Sequence, residues 1–210
     1  MYAWRKMSDF ERKEVLKERQ CSGKPWHAVP FMDSGPGAYL LTAACYEHRP
    51  HIGHSLARLD RFSESLLATI DEIEPVPQLI AWVVLPNHYH FLCHSSDIGA
   101  CKRALGRLHG RTSRDWNLEE DTLGRRVWFR AAETAMKSEA HYWATVNYIH
   151  HNPVKHRCGD AQDQWKWSSF SDWKKGVGRE ALVDLWNGYP VDDYGKDWDE
   201  EDLSNSVPPE

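Results

Sequence analysis

Two periodicities organise the apolar positions of this chain. Period-two or continuous apolar runs of strand length occur at Tyr39–Tyr46 (YLLTAACY), at 79–85 and at 88–94. Between the first and second lies a stretch with helical spacing, about 55–73, in which Leu56, Leu59, Phe62, Leu66, Leu67 and Ile70 share one face. Pro75 and Pro77 close it. Ser96-Asp97 then provides a cap for a second helix through Lys102, Leu105 and Leu108 to about Trp116. Ser138 caps a third, in which Tyr142, Val146 and Ile149 form the core face and Pro153 marks the stop. Ahead of these, Ser8-Asp9-Phe10-Glu11 could cap a helix through Arg19, followed by a Pro- and Gly-rich arm over 22–38. Residues 117–137 are polar and carry no clear period.

The densest apolar stretch is AWVVLPNHYHFLCH, residues 81–94. Pro86-Asn87 breaks it into two strands joined by a tight turn. On the second strand His88 and His90 project from one face, with Leu92 beyond them, while Tyr89, Phe91 and Cys93 face the other way. Two imidazoles about 7 Å apart along a strand can converge on one divalent cation. The plain alternative is a pair of ordinary strand histidines.

Charge changes the picture more than overall composition does. The formal net charge is −5, which argues against a nucleic-acid partner, but it is unevenly distributed. Lys102–Arg157 holds eleven Lys and Arg against six Asp and Glu, whereas Glu180–Glu210 holds one Lys against ten acids. A basic middle with an acidic appendage is a hint of nucleic-acid contact. The five cysteines form no CxxC pair, so neither a disulfide framework nor a zinc finger is expected. No apolar run approaches the roughly 20 residues that span a bilayer. Tyr2-Ala-Trp-Arg-Lys leads into charged residues instead of an apolar signal segment. A cytoplasmic protein with no membrane partner is the expectation. Eleven Trp argue for a real core in place of disorder.

LPNHYHFL at 85–92, followed about sixty residues later by NYIHHNPVKH, resembles the single-tyrosine HUH transposases, and more narrowly the REP-associated tyrosine transposases. The His-bulky-His triplet is His88-Tyr89-His90. The segment closing the tyrosine helix is Tyr148-Ile-His-His-Asn152-Pro153-Val154, and Trp165-Lys-Trp167-Ser-Ser-Phe170 resembles a stretch that follows it in this family. Arg157-Cys158 departs from the family's usual Gly and apolar residue at the helix exit, and Tyr89 replaces the more usual aliphatic. The likeness runs from about Tyr39 to Phe170.

The resemblance implies an α/β (α+β) sandwich: a ferredoxin/RRM-like antiparallel sheet, the histidine motif on a central strand, and helices mainly on one face. It implies three segments: an N-terminal helix and arm over 1–38, the transposase domain over 39–175, and an acidic tail over 176–210. By position, His88, His90 and Asn152 would bind Mg²⁺ or Mn²⁺, and Tyr148 would be the nucleophile that cleaves and rejoins single-stranded DNA at hairpin-associated, REP-like repeats. Lys102, Arg103, Arg107, Arg111, Arg125, Arg126 and Arg130 would hold phosphates, and exposed Trp among 165–173 could stack on bases. The nucleoid would be the place of action, as a monomer or homodimer. Two other readings stay open: a domesticated DNA-hairpin binder without catalysis, and an unrelated hydrolase with Zn²⁺ on His88 and His90.

Overall fold

Alternation at 37–44 and 88–95 becomes two neighbouring antiparallel strands, β1 (Gly37–Ala44) and β3 (His88–Ser95), in the computed structural model. The structure describes residues 37–191, together with Ser8, Tyr194 and residues 202–208. The helix expected near the N-terminus and nearly all of its arm lie outside the described residues. Between β1 and β3 come helix α1 (Leu56–Asp71) and strand β2 (Gln78–Val84); after β3 come helix α2 (Ile98–Glu119) and strand β4 (Ala132–Ala135). The sheet order is β2-β3-β1-β4, every pairing antiparallel. This is the α/β arrangement of a ferredoxin- or RRM-like sheet, with the His88–His90 strand in a central position.

The crossover helices form where capping and periodicity agree. The Ser55 side chain accepts from the Arg58 N–H at 3.1 Å, and Asp97 accepts from the Ala100 N–H at 2.9 Å. Leu59, Phe62, Leu66 and Ile70 of α1 and Cys101, Leu105 and Leu108 of α2 are buried. Both helices cover the face that carries Tyr89, Phe91 and Cys93: Phe62 lies 5.7 Å from the Tyr89 ring and His109 lies 5.9 Å from it. Burying that many large side chains against one sheet face is the main source of stability.

Helix α3 (Glu139–Lys155) covers the opposite face, capped by Ser138, which accepts from the His141 N–H at 3.1 Å. It continues through Pro153 instead of stopping there. The missing N–H falls in the last turn, and the Pro153 carbonyl still accepts from Cys158 N at 2.8 Å. The side of α3 carrying Thr145, Tyr148 and Asn152 is buried as well. Two more helices close over its back, α4 (Phe170–Val177) and α5 (Arg179–Gly188), the latter held where Asn147 Nδ2 donates to the carbonyls of Leu185 and Tyr189 at 3.1 and 2.8 Å.

Trp165 and Trp167 are core residues. Val84 N donates to the Trp167 carbonyl at 2.9 Å, Trp165 Nε1 donates back to the Val84 carbonyl at 2.8 Å, and Ser168 bridges Val83. The segment thereby protects the outer edge of β2. No described helix is long and apolar enough to cross a membrane.

Candidate active site

On the α3 face the strand period and the helix period run in opposite directions side by side. Tyr142 lies 6.0 Å from His94, Tyr148 lies 5.2 Å from His90, and Asn152 reaches His88, so successive turns of α3 meet alternate residues of β3. Cross-strand partners share a face, which puts Thr42 beside His90 and Ala44 beside His88. His88, His90, Tyr148 and Asn152, four residues expected to form one site, therefore come together. All are buried, with Tyr148 2 % exposed and Asn152 fully enclosed.

The hydrogen bonds assign roles within the group. Asn87 Nδ2 donates to the His48 carbonyl at 3.0 Å, which directs Asn87 Oδ1 at His88 Nδ1, 2.5 Å away. His88 Nδ1 is therefore the protonated nitrogen, and in the neutral ring Nε2 keeps its lone pair. That lone pair meets Asn152 Oδ1, another acceptor, at 3.0 Å. Asn152 Nδ2 is buried and has no hydrogen-bond partner among the described residues. Turning the Asn152 amide over would let Nδ2 donate to His88 Nε2; in the orientation seen, the two lone pairs can share a cation. Adjacent donors around an octahedral ion with bonds of about 2.1 Å stand about 3 Å apart, so the pair fits a hard divalent cation. His90 Nδ1 is tied to Thr42 Oγ1 at 2.7 Å, leaving its Nε2 directed at Tyr148 Oη, 3.4 Å away. The rings of His88 and His90 are 4.9 Å apart. Among the described residues no three His, Cys, Asp or Glu side chains group as a metal site, so a cation here depends on the Asn152 amide.

Five residues not singled out from the sequence join this site. Thr42, Asn87 and His156 are near neighbours of the two histidines, with the His156 ring 5.0 Å from His88. Lys155 Nζ stands 5.3 Å from the centre of the Tyr148 ring, two helical turns further on. Tyr194 packs its ring 5.2 Å from Tyr148 and anchors its hydroxyl to Thr145 Oγ1 at 2.6 Å and His141 Nε2 at 3.1 Å. Further along, Leu203 N donates to the His156 carbonyl at 2.9 Å and Asp202 pairs with Arg157 at 2.9 Å. Only Thr42 left a signal, as the one polar residue in YLLTAACY. Asn87 reads as a turn residue, and nothing local marks Tyr194.

The basic residues do not converge on the site. Lys102, Arg103, Arg107 and Arg111 lie on α2, behind the sheet. Lys102 pairs with Glu133 at 2.8 Å and Arg103 with Asp97 at 3.3 Å, while Arg111 contacts Thr69. Arg125 is tied to Glu120 at 2.6 Å in a network that also holds the buried Arg58. The Arg125 and Arg58 guanidiniums hold the Glu120 carboxyl down to about 2. Arg126 and Arg130 are exposed, near the end of β1.

No family model and no curated protein matches this chain in sequence. In fold it is similar to the solved structure of a REP-associated tyrosine transposase bound to a REP hairpin. The TM-score is 0.52 at 20 % identity, over 69 % of this chain and 84 % of that one. A likeness at that identity establishes the α/β fold.

Proposed function

We propose that this protein cleaves and rejoins single-stranded DNA beside hairpins, as a REP-associated-type transposase with Tyr148 as its nucleophile. The observation that carries the proposal is the meeting of Tyr148 Oη, His90 Nε2, His88 Nε2 and Asn152 Oδ1 at hydrogen-bond separations in one buried group. Mg²⁺ or Mn²⁺, held by His88, His90 and Asn152, would supply Lewis acidity at the scissile phosphate and offset charge on the leaving oxygen. The residues around this group serve it. Asn87 and Thr42 fix the tautomer and orientation of the two imidazoles, as partners of ligating histidines do.

Tyr148 attacks the phosphorus. The Oη–P bond forms, the P–O3′ bond breaks, the phenolic proton passes to water and the 3′ oxygen leaves as a hydroxyl. The 5′-phosphotyrosine retains the bond energy, and attack by a 3′-hydroxyl reverses the step and restores a phosphodiester. The Lys155 ammonium beside the ring brings positive charge to where the phosphate must sit. Arg126 and Arg130 hold neighbouring phosphates, while the arginines of α2, behind the sheet, add a general attraction for the polyanion.

The test is to incubate the protein with labelled single-stranded DNA carrying a hairpin in Mn²⁺. The expected result is a covalent adduct on the peptide containing Tyr148, lost in His88→Ala and His90→Ala while hairpin binding persists. An adduct on Tyr142, or cleavage by Tyr148→Phe, overturns the assignment. One observation favours a second reading, a hairpin-binding protein without turnover: Tyr194 lies over Tyr148. DNA binding with no adduct, in the wild type and in Tyr194→Ala alike, would select it.

A further inference from the structure

Beyond Ala44 the face that carries the two histidines continues. Thr42 touches His90 and Ala44 pairs with His88; Tyr46 is the next residue of that parity. Cys45 bridges Trp128, and Phe129 N donates to the Ala44 carbonyl at 2.9 Å, so Phe129 falls beside Tyr46. Trp128, of opposite parity, goes into the core with Phe62 and His109. Tyr46 and Phe129 are half-buried, their ring centres 5.0 Å apart, and His48 adds a third ring 6.0 Å from Phe129. The exposed Arg126 guanidinium lies 4.6 Å above the Tyr46 ring and 5.5 Å from Phe129. Arg49 and Arg130, both exposed, are chain neighbours of this cluster.

The loop that builds the cluster is strained. Glu47 and His48 both take left-handed backbone conformations, φ 54° and 52°, although neither is glycine. Such strain persists where surrounding structure enforces it, and it clusters at ligand clamps. Here it turns the His48 carbonyl onto Asn87, the residue that orients His88. The aromatic cluster and the candidate metal site are thus joined by one hydrogen-bonded chain. Tyr46 follows two residues after Ala44, the last residue of β1, and opens a short 3-10 turn over Tyr46–His48.

We propose that Tyr46, Phe129 and Arg126 form a stacking platform for one unpaired base of the DNA strand that runs from the scissile phosphate. This rests on the reading of Tyr148 and its neighbours as a DNA-cleaving site, whose substrate it specifies more closely. Half-exposed rings offer a π-surface that every base can use, and the guanidinium extends the stack while presenting N–H donors to a phosphate. Positive charge at Arg126 and Arg130 suits a polyanion, while Arg49 is paired with Glu47 at 3.0 Å. Recognition of this kind depends on the presence of a base and tolerates its identity.

The test uses the full chain with Tyr148→Phe, so that binding is read without cleavage. Its affinity is measured for a fluorescent hairpin with a single-stranded tail, and for the same DNA made abasic at one tail position at a time. One abasic position should weaken binding by about 5- to 100-fold, the range of a single stacked base. Phe129→Leu, which keeps an apolar side chain, should weaken binding to intact DNA by a similar factor and be insensitive to that abasic position. Tyr46→Leu serves as the second variant should Phe129→Leu fold poorly. If both variants bind intact DNA as tightly as the parent, or lose affinity additively with every abasic site, the platform does not exist. Failure of the cleavage reading shows separately: wild type forms no adduct, while the abasic effect and its loss in Phe129→Leu persist.

Discussion

Strand β3 carries a tyrosine–histidine pair on each of its faces, and the two pairs differ instructively. On one face Tyr89 Oη meets His109 Nε2 at 2.9 Å; on the other Tyr148 Oη meets His90 Nε2 at 3.4 Å. Both are buried. The first is enclosed by rings of Phe62, Phe91 and Trp128, and the pair satisfies its own hydrogen bond. Burial holds the His109 imidazole down to about 4 and pushes the Tyr89 phenol up, so both stay neutral at physiological pH. The second pair sits among polar groups: His88 Nε2 stands 3.0 Å from Asn152 Oδ1, and Asn152 Nδ2 has no hydrogen-bond partner among the described residues. A sealed, self-satisfied pair is architecture, whereas the second pair adjoins two imidazoles and an amide gathered at one point, the arrangement on which the proposed metal site rests.

The largest expected effect separates the two phenols. Tyr148→Phe should lower single-strand cleavage by at least about 10³-fold, because it removes the nucleophilic oxygen. Tyr89→Phe should leave cleavage within about twofold and cost about 1 kcal/mol of stability, read from denaturant unfolding. Equal losses of cleavage in both would erase the distinction between the faces.

Acid should weaken the architectural face. His109 titrates near 6.5 when unfolded and near 4 when folded, so the unfolded chain binds the extra proton. Its contribution is complete above about pH 6.5 and is lost as pH falls toward 4, about 3 kcal/mol in all. Unfolding free energies of wild type and His109→Gln over that range should converge as the pH falls. Parallel curves would show that His109 does not carry the effect.

Thr42 offers a finer probe of the other face. Thr42→Val keeps the shape and removes the hydroxyl bonded to His90 Nδ1. Mn²⁺ affinity, followed by calorimetry on the Tyr148→Phe background, should fall about 10- to 100-fold, as for lost partners of ligating histidines. Unchanged affinity would mean that His90 does not bind the ion.

The smallest effect concerns the C-terminal segment. Tyr194 lies over Tyr148, and Asp197–Asp202 follows it in the chain. Deleting the residues after Tyr194 should tighten single-strand binding a few-fold at low salt and hardly at all at high salt, because the removed charge competes with phosphate through a screened interaction. Identical affinities across a salt series would rule out that competition.

Much of this molecule is legible from neighbouring residues alone. The parity of His88 and His90, the caps at Asp97 and Ser138, and the buried row Leu59, Phe62, Leu66 and Ile70 all follow from periods of 2 and 3.6, which the sequence encodes within a few residues. Strand β4 does not: AETA carries no apolar alternation, and becomes a strand because the edge of β1 offers partners. Nor could periodicity show that the basic positions of α2 lie behind the sheet, or that Tyr194 returns to cover Tyr148. The site itself is assembled from residues far apart, with Thr42 and His90 separated by 48 positions, His90 and Tyr148 by 58, and His88 and Asn152 by 64. Local sequence determined which side chains share a face of a strand or helix. Which faces meet, and in what register, was decided by the packing of α3 across the open side of the sheet, because burial is non-directional and pairs elements only once the whole chain has collapsed.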